Sequence, residues 1–200
     1  MLDNSRYTYI DDKLVNERGE SVMMGWERPI MEKVANIISH NNGDILNIGF
    51  GMGIVDTYIQ EHNPNSHTII ESHPDVIEYI KTNHWLDKDI KFIFDKWQNV
   101  IDDLGTFDGI YLDTWYDVRA PYVKSLIDKC LKIGGVFSIW HNEDEFNKIL
   151  LSLDDKYVVL YEYIKNDKLI VSEKEQFKNG GFYIDPKLEK IVLPIIKRIK

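Results

Sequence analysis

The sequence predicts an α/β fold in which a mostly parallel sheet is covered by helices on both faces. Between residues 44 and 140, strand-like and helix-like segments alternate at least four times with short connections, which is typical of parallel strands joined by helices. The chain has 200 residues and is 44% hydrophobic, enough for one sizeable core. We therefore expect one domain over residues 22–200, preceded by a polar N-terminal arm or lid over residues 1–21.

The elements of this fold are predicted in chain order from hydrophobic periodicity and turn residues. The first helix begins at Pro29, because proline suits the first helical position, and it ends at the turn residues 41–43. Strands are then predicted at 44–49, 68–72, 91–94, 107–113 and, after a turn at 134–135, at 136–140. Helices are predicted at 54–61, from 74 through 80, at 97–104 and at 121–131.

The pattern is less regular beyond Glu143. The β-branched and aromatic run from Tyr157 to Ile164 predicts a strand, and residues 180–185 are expected to pair beside it. Residues 165–181 are predicted to form a charged surface loop. Pro194 lacks a backbone N–H, so it predicts an edge strand or an irregular terminus.

Composition limits the classes of function. The chain has 24 Lys and Arg residues against 33 Asp and Glu residues, a net charge of -9, which disfavours a nucleic-acid groove and favours cationic substrates. Cys130 is the only cysteine, so an internal disulfide is excluded, and its helical context predicts a buried, inert thiol. Because no long apolar run or signal-peptide core is present, we expect a cytoplasmic protein without membrane contact.

A glycine-rich turn after the first strand indicates a nucleotide-like ligand. Gly49, Gly51 and Gly53 follow the apolar run and lead into a helix, whereas a dinucleotide fingerprint would place its last glycine at Ile54. Glu71 ends the next strand, about twenty residues downstream, where a carboxylate accepts hydrogen bonds from both ribose hydroxyls. This spacing favours S-adenosylmethionine over a dinucleotide.

Asp113 is the strongest candidate for chemistry. It ends the fourth strand and precedes two aromatic residues, Trp115 and Tyr116, which are expected to exclude water from it. Strand ends meet at one edge of a parallel sheet, so Asp113, Asp95, Glu71 and Gly49 should share one crevice. A carboxylate there can bind a guanidinium through two parallel bonds and accept the proton released when that group is methylated.

Five segments contain most of these residues. They are Val22-Met23-Met24-Gly25-Trp26-Glu27-Arg28-Pro29-Ile30-Met31, Asn47-Ile48-Gly49-Phe50-Gly51-Met52-Gly53-Ile54-Val55-Asp56, Ile70-Glu71-Ser72-His73-Pro74, Lys96-Trp97-Gln98 and Phe107-Asp108-Gly109-Ile110-Tyr111-Leu112-Asp113-Thr114. In register and in order over roughly residues 20–140, they resemble guanidinoacetate N-methyltransferase. They resemble still more the related protein-arginine methyltransferases that modify the δ nitrogen of arginine.

This resemblance implies a class I methyltransferase fold, a Rossmann-like three-layer sandwich whose seven-stranded sheet is parallel except for one late strand. It implies S-adenosyl-L-methionine as methyl donor, S-adenosyl-L-homocysteine as product, and no metal. The implied donor-binding residues are Met23, Met31, Gly49, Phe50, Gly51, Met52, Gly53, Ile54, Val55, Glu71, Ser72, His73, Lys96, Trp97 and Asp113. Glu27 and Asp113 are implied as the catalytic pair that clamps the guanidino group, and Met23, Asn142 and Tyr183 as further substrate contacts.

The acceptor is either arginine in a protein or a small guanidino compound such as guanidinoacetate or free arginine. The segment Trp140-His141-Asn142-Glu143-Asp144 departs from the pattern of the small-substrate enzyme, and its two acids disfavour a substrate carboxylate. Two alternatives stay open. One is a metal-dependent O-methyltransferase that uses Asp113, His141 and Asn142, and the other is a non-catalytic subunit that only binds the donor. The sequence is compatible with a monomer or a homodimer.

Overall fold

The computed structural model describes residues 5–114, 118–140, 143–165, 184–185 and 190–200. The strands are β1 (Tyr7–Ile10), β2 (Lys13–Asn16), β3 (Ser21–Met24), β4 (Asp44–Ile48), β5 (Ser66–Ile70), β6 (Lys91–Ile93), β7 (Phe107–Leu112), β8 (Leu131–Ile139), β9 (Tyr157–Lys165), β10 (Ile184–Asp185) and β11 (Lys190–Arg198). The α-helices are α1 (Arg28–Ile38), α2 (Ile54–Glu61), α3 (Pro74–Thr82), α4 (Trp97–Val100), α5 (Ala120–Cys130) and α6 (Glu143–Ser152). Single 3-10 turns span Gly25–Glu27 and Trp85–Asp87.

The main sheet has the strand order β6-β5-β4-β7-β8-β11-β9. Its first five strands run parallel, and β11 is inserted antiparallel between β8 and β9. The two-residue strand β10 pairs antiparallel with the start of β11. The predicted α/β fold, with seven main strands that are parallel except for one late strand, is therefore confirmed.

The central strands are buried on both faces, which explains their nearly continuous hydrophobic sequences. Successive residues of β4 belong to different layers. Ile45 packs with Ile30 and Val34 of α1 on one face, and Leu46 packs with Leu126 of α5 on the other. Cys130 lies in this second layer, fully buried, and burial raises the pKa of its thiol to about 11. The predicted inert cysteine is thus a core residue.

Some predicted boundaries in the second half of the sheet are wrong. Strand β8 begins at Leu131 rather than at residue 136, because Gly134, at φ +85°, belongs to an irregularity within the strand and not to a separate turn. Helix α6 lies beyond Glu143, where the sequence pattern predicted no helix. The described part of residues 180–185, strand β10, pairs with β11 and not beside β9. The predicted charged loop lies outside the described residues except for Lys165.

The prediction that Pro194 lies in an edge strand or an irregular terminus is also wrong. Pro194 pairs with Tyr161 of β9, within a strand that has neighbours on both sides. The pairing with β8 begins one residue later, at Ile195, so the missing N–H falls at the end of that ladder. The Pro194 carbonyl accepts a hydrogen bond of 2.8 Å from Ser138 Oγ.

The N-terminal arm and the residues that follow it, through Met24, form a separate antiparallel sheet of β1, β2 and β3. Asp12, between β1 and β2, receives two hydrogen bonds from Arg28 at the start of α1, at 2.5 and 2.7 Å. Within the described part of the chain, none of the helices combines the length and apolar character needed to cross a bilayer.

An ion cluster joins three strands at the edge of the sheet where β4 begins. Lys132 Nζ lies 2.6 Å from Asp44 Oδ2 and 2.7 Å from Asp108 Oδ2. Hydrogen bonds from Lys132, Asn65 and Ser66 lower the pKa of Asp44 to about 2. The cluster therefore stabilises the fold once Asp44 ionises.

Replacing Lys132 with methionine is expected to lower the free energy of unfolding at pH 7 by about 1 kcal/mol, after allowance for solvent screening. Because the folded-state pKa of Asp44 is lowered, this contribution is complete above its ordinary value of 3.8 and is lost as the pH falls towards 2. Urea denaturation across this range measures the difference. Lys129→Met, which removes a more exposed ion pair with Asp102, is the control. An effect of Lys132→Met that is the same at pH 7 and pH 2.5 would contradict the assignment.

Candidate active site

The glycine turn lies where the carboxyl ends of β4 and β7 come together. Gly49, Gly51 and Gly53 adopt φ values of +95°, +55° and +69°, which L side chains rarely adopt. A Cβ on Gly49 would lie 1.9 Å from the Asp113 backbone oxygen. Gly49 N donates to Ile70 O and Asp113 N donates to Ile48 O, both at 2.9 Å. Glycine is therefore required for Asp113 to approach the turn.

Glu71 connects the glycine turn to the loop that follows β5 through hydrogen bonds. Its buried carboxylate accepts from Phe50 N at 2.9 Å through Oε2, and from Ser72 N and His73 N at 2.7 Å each through Oε1. A carboxylate offers about four acceptor positions, so these three bonds leave room for a hydroxyl. The sequence suggested only a role for Glu71 towards a ribose and gave no sign of this backbone contact with Phe50.

The N-terminal sheet packs directly over the glycine turn. Tyr9 donates its hydroxyl to Gly51 O at 2.7 Å, and the Tyr7 ring stacks on His73 with 3.7 Å between ring centroids. Tyr7 N also donates to Asp75 Oδ2 at 2.8 Å, at the start of α3. Tyr7 and Tyr9 were predicted only as scattered apolar anchors, so this contact between the arm and the turn is a feature that sequence reasoning missed.

The two predicted methionines have different surroundings. Met23 Sδ accepts a hydrogen bond of 3.1 Å from Met52 N, and a Cβ on Gly51 would lie only 2.7 Å from that sulfur. Met31 is fully buried, and its sulfur accepts a bond of 3.6 Å from the Tyr111 hydroxyl. Met23 therefore contacts the glycine turn itself, whereas Met31 lies behind it in the core layer of α1.

Glu27 and Asp113 are carboxyl groups with strongly raised pKa values. Glu27 is buried in the 3-10 turn before α1, and its Oε1 accepts from Met24 N at 2.7 Å. Burial, and next the charge of Asp113, raise the pKa of Glu27 to about 8, against the lowering effect of the bond from Met24. Burial raises the pKa of Asp113 to about 7; hydrogen bonding to Tyr111 lowers it, and the charges of Asp56 and Glu71 raise it.

The influence of Asp113 on Glu27 shows that the structure brings the two predicted catalytic acids into one electrostatic environment. Burial makes each carboxyl costly to ionise without a partner. Nearby negative charges add to this cost, that of Asp113 for Glu27 and those of Asp56 and Glu71 for Asp113. Such a pair is suited to bind a planar cation, which would offset both charges.

The remaining predicted residues divide between core, surface and undescribed positions. Trp97 is buried beneath α5 and its Nε1 has no hydrogen-bond partner among the described residues, whereas Lys96 and Ser72 are exposed. Asp95 is exposed and accepts bonds from Lys96 N and Asn99 Nδ2, next to the start of α4. Ile54 and Val55 are buried at the start of α2. The predicted residues Asn142 and Tyr183 lie outside the described residues, as do Trp115, Tyr116 and His141.

The strand ends are compatible with a nucleoside ligand. Gln98 Nε2 and Thr114 Oγ1 are buried without a hydrogen-bond partner among the described residues, as is Trp97 Nε1. Buried polar groups are normally paired, and these atoms are among the exceptions in the described part of the chain. Three glycines without side chains and the free acceptor position of Glu71 suit an adenosine-containing donor. In the part of the chain that the structure describes, no three His, Cys, Asp or Glu residues are grouped to hold a metal ion.

Comparison with known proteins identifies the family to which the chain is similar. Residues 3–179 match the guanidinoacetate N-methyltransferase family. The chain is 39% identical over 149 residues to protein arginine N-methyltransferase 2 of Saccharomyces cerevisiae, covering 66% of this chain and 36% of that protein. It is 42% identical over 148 residues to the Kluyveromyces lactis protein of the same name, with the same two coverages. The chain thus spans about a third of the length of these curated relatives.

Solved structures resemble the chain in fold. Spermidine synthase from Thermotoga maritima superposes with a TM-score of 0.64 at 13% identity, covering 98% of this chain and 72% of that one. A precorrin-6y C5,15-methyltransferase from Geobacter metallireducens gives a TM-score of 0.59 at 15% identity, covering 86% and 87%. At these identities the likeness shows the fold alone, which is that of the class I methyltransferases.

Proposed function

Since this chain belongs to the guanidinoacetate N-methyltransferase family, we propose that it transfers a methyl group from S-adenosylmethionine to a guanidino nitrogen. The observation that best supports this function is the pair of carboxyl groups, Glu27 and Asp113, beside the glycine turn. Burial raises both pKa values; the charge of Asp113 raises that of Glu27 further, and the charges of Asp56 and Glu71 raise that of Asp113. A guanidinium is a cation that can bind carboxylates through paired hydrogen bonds.

The donor is proposed to bind at the glycine turn. Residues 49–55 would surround its amino-acid portion, and Glu71 would accept from its ribose with the lone pair that its backbone bonds leave free. Met23, next to Gly51, would line the same pocket with Met31 behind it. Ser72, His73, Lys96 and Trp97 are proposed near the adenosine, and Asn142 and Tyr183 near the acceptor. When bound, the donor supplies a methyl group on a positively charged sulfur.

Glu27 and Asp113 are proposed to prepare the acceptor for attack. A guanidinium is a poor nucleophile because its pKa exceeds ~12. The two carboxylates orient one nitrogen towards the methyl carbon. As the new N–C bond forms and the S–C bond breaks, that nitrogen gives its proton to Asp113. The product is a methylated guanidinium, so the acceptor carries one positive charge before and after the step. The charge lost at the donor sulfur is balanced by the proton that neutralises the Asp113 carboxylate. Positioning supplies most of the acceleration, and no metal is needed for these steps.

The acceptor is proposed to be arginine in a protein or a small guanidino compound. The names of the relatives at about 40% identity favour arginine in a protein, and the family description favours a small guanidine. The net charge of -9 suits the guanidinium group that both kinds of acceptor carry.

The experiment that tests this function supplies the protein with methyl-labelled donor and a panel of acceptors: guanidinoacetate, free arginine, other guanidines and a basic protein extract. Mass spectrometry of the labelled product identifies the acceptor and the nitrogen. Activity that disappears with a chelator would favour the metal-dependent O-methyltransferase. Donor binding without transfer to any acceptor would favour the non-catalytic subunit.

A further inference from the structure

Beneath the glycine turn, three buried polar side chains connect it to the sheet. Asn47 lies on β4, Asp56 in the first turn of α2 and His67 on β5. Asn47 Nδ2 donates to Gly49 O at 2.9 Å and to Asp56 Oδ1 at 2.8 Å. This arrangement ties the first glycine of the turn to the helix that follows it.

His67 lies between Gln60 and Asp56. Its Nδ1 is 2.9 Å from Gln60 Nε2, and its Nε2 is 3.1 Å from Asp56 Oδ1. Asn47 and His67 thus both contact the same oxygen of Asp56, Oδ1.

Asp56 is left with an unpaired oxygen in the interior. Its side chain is fully buried, and Oδ2 has no hydrogen-bond partner in the described part of the chain. A buried carboxylate of this kind is costly for the fold unless a cation offsets it. Its charge also extends to the proposed active site, since it is one of the charges that raise the pKa of Asp113.

We propose that the buried carboxylate of Asp56, held by Asn47 and His67 beneath the glycine turn, favours the cationic sulfonium of the donor over the neutral thioether of the product. Donor and product differ in charge only at sulfur, so a fixed negative charge below the turn acts on that difference. This selectivity would help the spent product to leave when fresh donor is present. The inference rests on the proposed function, because it takes S-adenosylmethionine as the ligand.

The test measures the affinities of donor and product by isothermal titration calorimetry, for the wild type and for Asp56→Asn. The asparagine keeps the shape and an acceptor oxygen but removes the charge. We expect donor affinity to fall at least about fivefold, the effect of one unit charge about 17 Å away at an effective dielectric constant of ~20, and product affinity to change less than about twofold. Glu61→Gln, at the exposed end of the same helix, removes an equal charge and should change neither affinity.

A second variant separates charge from positioning. His67→Gln keeps the Asp56 charge but removes the ring that holds it, so it should weaken both ligands to the same degree. Equal weakening of both ligands by Asp56→Asn, or no change in either, would overturn the inference. If that variant does not fold, Asp56→Ser removes the charge with less volume and allows the same comparison. A wild-type protein that binds neither ligand would instead overturn the proposed function.

Discussion

Replacing Asp113 with asparagine is expected to lower the rate of methyl transfer about a thousandfold, the size of a lost general base. The asparagine cannot accept the proton that leaves the guanidino nitrogen, and it loses the charge-assisted bonds to the acceptor. Donor affinity should change much less, because the glycine turn and Glu71 supply the other proposed donor contacts. A single-turnover assay with labelled donor measures the rate, and calorimetry measures donor binding.

Asp113→Asn is not expected to reduce the stability of the fold. Burial raises the pKa of Asp113 from its ordinary value of 3.8 to about 7. Ionising Asp113 therefore destabilises the folded protein, and this cost grows as the pH rises from 3.8 to about 7. Asparagine removes this cost, and the variant should melt at or above the wild-type temperature at pH 8. Asp103→Asn, which removes an exposed acid, is the control. A rate for Asp113→Asn within tenfold of the wild type would show that another group takes the proton.

Much of the parallel half of the sheet could be predicted because its signals are local. Pro29, Pro74 and the glycine turn mark helix starts, and α2 has the predicted bounds, 54–61. The buried strands β4 and β7 are largely apolar, a pattern that can be recognised without knowledge of the partner strand. The predicted neighbourhood of Gly49 and Asp113 followed from topology, since the ends of adjacent parallel strands meet at one edge.

The antiparallel end of the sheet was harder to predict because its pairing is non-local. Pro194 resembles an edge residue in sequence, yet it tolerates an interior strand because its pairing with β8 begins at Ile195. Likewise, Tyr7 and Tyr9 gain their importance only when the arm folds back over His73 and Gly51, more than forty residues away. Local sequence patterns do not indicate such long-range contacts.

In the candidate site, too, local features could be predicted from the sequence, whereas contacts between separate elements could not. Glycine spacing, Glu71 and Asp113 were visible as residue types at meaningful positions. The bonds from Phe50 N to Glu71, and the connection of Asp56 to His67, join separate elements and depend on the final packing. A buried acid such as Asp56 appears in the sequence as an ordinary polar residue of an amphipathic helix.

Replacing Glu27 with glutamine is expected to lower kcat/KM for the guanidino acceptor about a hundredfold, while it makes the ligand-free protein more stable at high pH. The glutamine can still accept the bond from Met24 N, but it cannot offset the charge of a guanidinium. In the wild type, kcat/KM should rise with pH as Asp113 and Glu27 ionise, with pKa values of about 7 and 8. In Glu27→Gln the upper part of this rise should be absent.

The stability change has the opposite sign because the pKa of Glu27 is higher in the folded than in the unfolded protein. The unfolded chain loses this proton near the ordinary value of 4.5, so the wild type loses stability as the pH rises from there to about 8. Glu27→Gln should therefore melt at least about 3 °C higher than the wild type at pH 9 and nearly equal to it at pH 5. Glu32→Gln, an exposed acid on α1, should change neither the melting temperature nor the rate. A Glu27→Gln variant that is less stable than the wild type at pH 9 would mean that Glu27 already has a cationic partner in the ligand-free protein. Its carboxylate would then not be free to bind a cationic acceptor.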